Sequence, residues 1–243
     1  MTLTALAVVG ALFAADKPDF SKETLPSPRE ATGKSINGKS LSDMLAKVKE
    51  IWPTIVFEKD GKKVEYVAVL DTDDGVIEVE FFPAHAPKHA RSFIALTKAG
   101  YFDGTIFHRA LPGFMIQGGC PLGNGRGGPG YALPAEFNSI KHEKGILSAA
   151  RSNDPDSAGS QFFLCHDTAS FLDGKYTVFG HVTKGMDVID KIVNRPRHRN
   201  ESGEPSAPDE PCKVKKATVK IKGEAAEKKS DADEKKTESE KKG

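Results

Sequence analysis

One basic residue stands inside an apolar run: Arg109 in FHRALPGFMIQGG (107–119). Phe114, Met115 and Gln117 follow it after a tight Leu-Pro-Gly connection. Gln161-Phe162-Phe163 and Phe171-Leu172-Asp173-Gly174-Lys175-Tyr176 repeat the same mixture of apolar, amide and hydroxyl groups. A guanidinium stays charged at any working pH and can only donate hydrogen bonds. Placed beside apolar surface and amide side chains, it suits a cleft that holds a peptide. Plainer readings stand beside this one. Taken alone, Phe114, Phe163 and Phe171 read first as simple core packing, and Arg109 as half of a surface ion pair. Periodicity alone does not separate these readings.

Other chemistries lack their minimum elements. GNGRGG (123–128) has the spacing of a dinucleotide-binding turn, but Pro129-Gly130 follows where a helix would have to open. Its glycines are better read as letting a loop turn tightly beside a groove. His85 and His89 are four apart, as metal ligands on one helix face would be. Pro87 lies between them, however, and His85 precedes the helix start. Ser160 has flanks unlike a nucleophile elbow and no evident His/Asp set beside it. Cys120, Cys165 and Cys212 form no CxxC and read as free thiols, with Cys165 buried in QFFLC. No metal and no cofactor is expected.

These residues need elements to position them. Leu41, Met44, Leu45 and Val48 carry the i, i+3, i+4, i+7 stripe of a short amphipathic helix, which Trp52-Pro53 should end. The sole Trp should pack that helix on the main body. Val64–Leu70 and Val76–Phe81 read as strands of a hairpin around DTDDG. Pro87 should open a helix that runs to about Ala99, with Gly100 as its stop. The short segments TIFHRA, FMIQ, ILSAA, QFFLC and TVFGHV read as strands between glycine-rich turns. A brief helix over Met186–Val193 and a last strand over Lys213–Lys222 complete the count. Many short strands with few helices predict a mainly β fold, a closed eight-stranded antiparallel barrel capped by two helices. A short helical extension precedes it.

The ends read differently. The first fifteen residues, MTLTALAVVGALFAA, are apolar and uncharged. They are too short for a spanning helix of roughly 20 residues and fit a signal peptide or anchor over 1–15. Export to a periplasmic or extracellular space is therefore expected, without stable membrane insertion unless that segment stays uncleaved. Residues 16–61 read as linker plus the helical extension, 62–222 as the main domain, and 223–243 as a disordered charged tail. Six lysines face seven acids in that tail, too balanced for a nucleic-acid arm. Over the chain, 35 basic residues meet 34 acidic ones, so no basic field points to nucleic acid.

Read together, the segments resemble a cyclophilin. FHR-x-x-PGFMIQGG (107–119), GNGRGG-PGY (123–131), AEFN (135–138), GILSAAR (145–151), SAGSQFFLC (157–165), FLDGKYTVFGHV (171–182) and GMDVID (185–190) occur in that family's order and near its spacing. The resemblance runs from about Val67 to Ile192, and on through the last strand. It implies a peptidyl-prolyl cis-trans isomerase that acts on unfolded or extended proline-containing segments, assists protein folding and works as a monomer. By position it implies Arg109 as the catalytic arginine, and Phe114, Met115 and Phe163 as the pocket for the proline ring. It further implies Gln117, Gln161 and the backbone at Ala150 and Arg151 as groups that hold the peptide extended. Phe171, Leu172 and Tyr176 would form the outer pocket wall. Three positions depart from the best-known eukaryotic pattern: Phe171 where Trp is common, Tyr176 where His is common, Arg151 where Asn is common. Without an indole donor at 171, weaker binding of cyclosporin is expected. Two other readings remain: a non-catalytic proline-peptide-binding module, and a scaffold whose function lies in the extension or the tail.

Overall fold

A computed structural model describes Leu25 and residues 33–223. The signal or anchor segment 1–15 and the tail beyond Gly223 lie outside the described residues. In chain order the elements are α1 (Leu41–Ile51), β1 (Glu58–Lys59), β2 (Lys62–Lys63), β3 (Tyr66–Thr72), β4 (Gly75–Phe81), α2 (Pro87–Lys98), β5 (Arg109–Leu111), β6 (Met115–Gly118), β7 (Ile146–Ala149), β8 (Phe162–Cys165), β9 (Val178–Lys184), α3 (Met186–Val193), β10 (Arg197–His198), β11 (Ala207–Pro208) and β12 (Val214–Ile221).

Eight of these strands form one antiparallel sheet in the order β12-β3-β4-β9-β7-β8-β6-β5. The sheet is an open half-barrel, which corrects the expected closed one. Its edge strands β12 and β5 share no ladder. A single bridge, Ile106 to Lys213, joins the chain before β5 to the start of β12. Hydrogen bonds from the Gly104 and Phe107 N–H groups to the Val214 and Cys212 carbonyls flank it. The physical reason lies in β5 itself, which is three residues long. Its outward N–H at Ala110 is taken by the Ser206 carbonyl at 2.8 Å. That carbonyl belongs to the segment between α3 and β12, where the residue pattern predicts no element. The segment contains the small β10–β11 hairpin, paired Arg197 to Pro208. The β1–β2 hairpin was likewise unforeseen.

Alternation along the strands divides the apolar residues into two sets. Ala110, Ile116, Leu147, Phe162 and Leu164 point into the main core, which α2 covers with Phe93, Ile94 and Leu96. Met115, Ile146, Phe163, Cys165 and Val178 point to the other side and form a second, smaller cluster with Leu172. The candidate site lies on that second face.

Local chemistry fixes the helices. Ser40 caps α1 by accepting the Asp43 N–H through its hydroxyl at 3.3 Å. Leu41, Met44, Leu45 and Val48 are buried, as their spacing predicts. After Ile51 the chain passes into a single 3-10 turn, Trp52–Thr54. Trp52 is buried with its ring edge-on to Tyr131, centroids 6.3 Å apart. These side chains belong to the same core as the sheet. Pro87 opens α2. The Glu136 carboxylate accepts the Lys88 and His89 N–H groups at 3.0 Å each, where the helix leaves donors unsatisfied. His89 also meets that carboxylate through Nδ1 at 2.6 Å, so its ring serves the helix cap. In α3, Val188, Ile189 and Ile192 turn inward as expected.

Candidate active site

Strand register brings the singled-out residues together. Arg109 on β5 is paired with Gln117 on β6, and Gln117 is paired with Phe163 on β8. Cross-strand partners point to the same face, so guanidinium, amide and phenyl ring stand in a row. Met115, two residues before Gln117, shares that face and is fully buried beneath it. The Arg109 guanidinium carbon lies 5.8 Å from the Phe114 ring centroid.

The polar groups form one connected line. Arg109 Nη1 donates to Gln117 Oε1 at 3.3 Å, and Gln117 Nε2 donates to Gln161 Oε1 at 3.0 Å. Gln161 Nε2 donates to the Gly125 and Gly127 carbonyls at 2.7 and 2.9 Å. The glycine-rich loop is therefore pinned beside the groove by a side chain of the site. Its approach requires glycine at 119: the φ is +80°, and a Cβ there would stand 2.2 Å from the Ser160 carbonyl oxygen.

The apolar wall rises from Phe163. Tyr176 packs edge-on to it with centroids 6.0 Å apart, and Phe171 tilts against Phe114 at 5.3 Å. Phe171 is 62% exposed, which makes it the outer rim. Leu172 is buried beneath the wall. Arg151 lies over Tyr176, its guanidinium carbon 4.4 Å from the ring centroid, and donates through Nε and Nη2 to the Lys175 carbonyl. The Ala150 N–H is engaged by the Gln161 carbonyl at 3.0 Å.

Three features escaped the sequence reading. The first is a brace under Phe163. The buried His142 ring stacks on it at 6.0 Å, and its nitrogens meet Asp173 Oδ1 at 3.1 Å and Ser148 Oγ at 3.0 Å. The order Ser-His-Asp is that of a hydrolase, but Ser148 and His142 are wholly buried, so no substrate reaches the hydroxyl. Burial lowers the His142 pKa, while the hydrogen bond from the His142 backbone N–H, at 2.9 Å, holds the Asp173 carboxyl below its usual range.

The second feature is Glu204. Its Oε2 and Oε1 accept from Arg109 Nε and Nη2 at 2.6 and 2.7 Å. The side chains of Arg109 and Glu204 are 29% and 33% exposed. Arg109 is thus both a surface ion pair and a groove residue, two roles set as alternatives by the sequence. The hydrogen bond from Arg109 depresses the Glu204 pKa. The third is a cleft of about 890 Å³ that Arg109 and Gln117 line together with the glycine-rich loop and residues from 198 to 207, with His108, Arg126 and Arg199 among its walls. Neither the partner of Arg109 nor this cleft carries a local sequence signal.

A charged donor set in a row with amides, on the rim of an apolar face, is an arrangement able to hold a peptide and donate a hydrogen bond to it. Comparisons with known proteins agree in kind. The family model for cyclophilin type peptidyl-prolyl cis-trans isomerase/CLD matches residues 67–219. A peptidyl-prolyl cis-trans isomerase of Synechococcus elongatus is 48% identical over 132 residues, 54% of this chain and 90% of the relative. Peptidyl-prolyl cis-trans isomerase B of Bacillus subtilis is 44% identical over 124 residues, 50% of this chain and 86% of the relative. A cyclophilin type isomerase of Cryptosporidium parvum, solved in the presence of the dipeptide Ala-Pro, superimposes with a TM-score of 0.59 at 31% identity, covering 63% of this chain and 98% of that one. The chain belongs to the cyclophilin-type peptidyl-prolyl cis-trans isomerases. Its activity is rotation about X–Pro bonds, and the non-catalytic reading is not favoured.

Proposed function

We propose that Arg109 supplies the catalytic hydrogen bond, and that Phe114, Met115 and Phe163 receive the proline ring of an extended substrate segment. Gln117 and Gln161 align that segment, and Phe171, Leu172 and Tyr176 wall its outer side. The observation that carries this reading is the row Arg109–Gln117–Phe163 across three adjacent strands.

The chemistry follows from the amide. Rotation about X–Pro is opposed by resonance, with a barrier of about 20 kcal/mol and unaided lifetimes of roughly 10–100 s. No bond forms or breaks, and no proton has to move. In the twisted state the proline nitrogen regains its lone pair and becomes an acceptor. A guanidinium N–H aimed there binds the twisted form more strongly than either planar one, which is the condition for acceleration. One such donor contributes about 3–4 kcal/mol. The apolar socket adds to this by anchoring the ring while the preceding carbonyl swings.

Arg109→Ala is the test. Turnover of a proline tetrapeptide in a protease-coupled assay should fall at least tenfold while the far-ultraviolet circular dichroism stays unchanged. Near-normal turnover would remove Arg109 from the mechanism.

The uncharged apolar residues 1–15 support a further reading, that the enzyme works after export on proline-containing segments of proteins folding outside the cytoplasm, as a monomer. Mass spectrometry of the mature N-terminus, isolated from cells, tests export: an intact Met1 on soluble cytoplasmic protein would end it. Among the described residues, no helix is long and apolar enough to cross a membrane.

A further inference from the structure

Glu204 is 95 residues from Arg109 in sequence, yet it engages the guanidinium through two parallel hydrogen bonds. An arginine has five N–H donors in a planar fork. Glu204 takes Nε–H and one N–H of Nη2, and Gln117 takes one N–H of Nη1. The second N–H of Nη2 and one N–H of Nη1 stay unclaimed, and that of Nη2 points away from Glu204. The carboxylate therefore holds the back of the guanidinium and leaves its other side free to donate.

The loop that presents Glu204 is itself built. Asn200 Oδ1 accepts the Ser202 and Glu204 N–H groups at 3.0 Å each, and Asn200 Nδ2 donates to Ser206 Oγ at 3.1 Å. The Asn200 N–H closes on the Glu204 carbonyl at 2.8 Å. The fully buried Ser206 then accepts the Ala110 N–H through its carbonyl at 2.8 Å, one residue beyond Arg109. Backbone and side chain of the loop are thus anchored to the strand that carries the arginine.

We propose that Glu204 is a positioning residue: it fixes the Arg109 guanidinium before substrate arrives, with the Nη1/Nη2 side presented to the proline nitrogen. This rests on the reading of Arg109 as the catalytic donor. A free arginine side chain has many rotamers, and the bidentate pair removes that freedom in advance. The same bonds lower the electrophilicity of the guanidinium somewhat, so the sign of the effect decides between positioning and shielding.

The experiment is a double-mutant cycle in the full chain, with kcat and KM measured separately on a proline tetrapeptide. Glu204→Ala should lower kcat about tenfold, the cost of an unfixed arginine, with KM within twofold. Glu204→Asp, which keeps the carboxylate, should recover part of that loss. In the Arg109→Ala background Glu204→Ala should change nothing further. Melting temperatures should match within a few degrees, because an ion pair a third exposed contributes little to stability. A rise in kcat on Glu204→Ala would overturn positioning in favour of shielding, and an unchanged kcat, or an equal loss without Arg109, would overturn it outright. If Arg109→Ala alone leaves kcat intact, the failure belongs to the catalytic assignment of Arg109.

Discussion

Trp52→Ala asks whether the helical extension is part of the enzyme. The indole is about 1% exposed and lies within the core that also holds Leu70, Phe93 and Ile94. It packs edge-on to Tyr131, and the Arg91 guanidinium carbon stands 5.8 Å from its ring centroid. Truncating a buried Trp to Ala costs about 3–5 kcal/mol through lost burial and the cavity left behind. A domain of this size has roughly 5–15 kcal/mol of stability in total and loses about 2–4 °C of melting temperature per kcal/mol. The midpoint should therefore fall by roughly 6–20 °C. The substitution touches neither Arg109 nor the second apolar cluster, so kcat/KM measured well below the midpoint should stay within twofold of wild type. Thermal melts followed by circular dichroism, with the coupled assay at 10 °C on the same samples, give both readouts. A midpoint within about 1 °C of wild type would refute the reasoning: α1 and Trp52 would then be an appendage resting on a complete domain. Loss of activity with the fold intact would instead tie the extension to the site.

Two further outcomes follow from other parts of the molecule. Burial, together with the neighbouring Arg109 charge, lowers the His108 pKa from 6.5 to about 4. The unfolded chain therefore binds a proton between those values that the native chain does not, so stability should decline as pH falls from 6.5 towards 4; His108→Asn should flatten that part of a melting-temperature profile, and parallel profiles would contradict it. At the exposed rim, Phe171→Trp adds an N–H donor that phenylalanine lacks. One hydrogen bond nets about 0.5–1.5 kcal/mol, so inhibition by cyclosporin should tighten several-fold, and an unchanged inhibition constant would show that the indole N–H is not what the position lacks.

Much of the site was legible because its residues cluster in short segments. Phe114, Met115 and Gln117 lie within one strand and turn, and the alternation that sends Met115 and Gln117 to one face and Ile116 to the other is a property of any strand. The helices were legible for the same local reason: the stripe in α1, Pro87 at the start of α2 and the inward Val188, Ile189 and Ile192 of α3 need no distant partner to be read. The open seam of the sheet was not legible, because it depends on whether the Ala110 N–H finds β12 or the Ser206 carbonyl.

The chain by itself determined which residues are candidates for the groove, through the family-like segments that carry them, and what chemistry their side chains are capable of, since residue type is carried in the order of the amino acids. The folded structure decided who their partners are. Glu204 reaches Arg109 across 95 positions, Gln161 spends its amide on the Gly125 and Gly127 carbonyls, and Trp52 joins the core of a sheet that begins later in the chain. Such contacts depend on loop closure and packing between distant segments, and no local pattern encodes them. That is why an arginine that the sequence leaves between ion pair and catalytic donor can be, in three dimensions, one group with two sides.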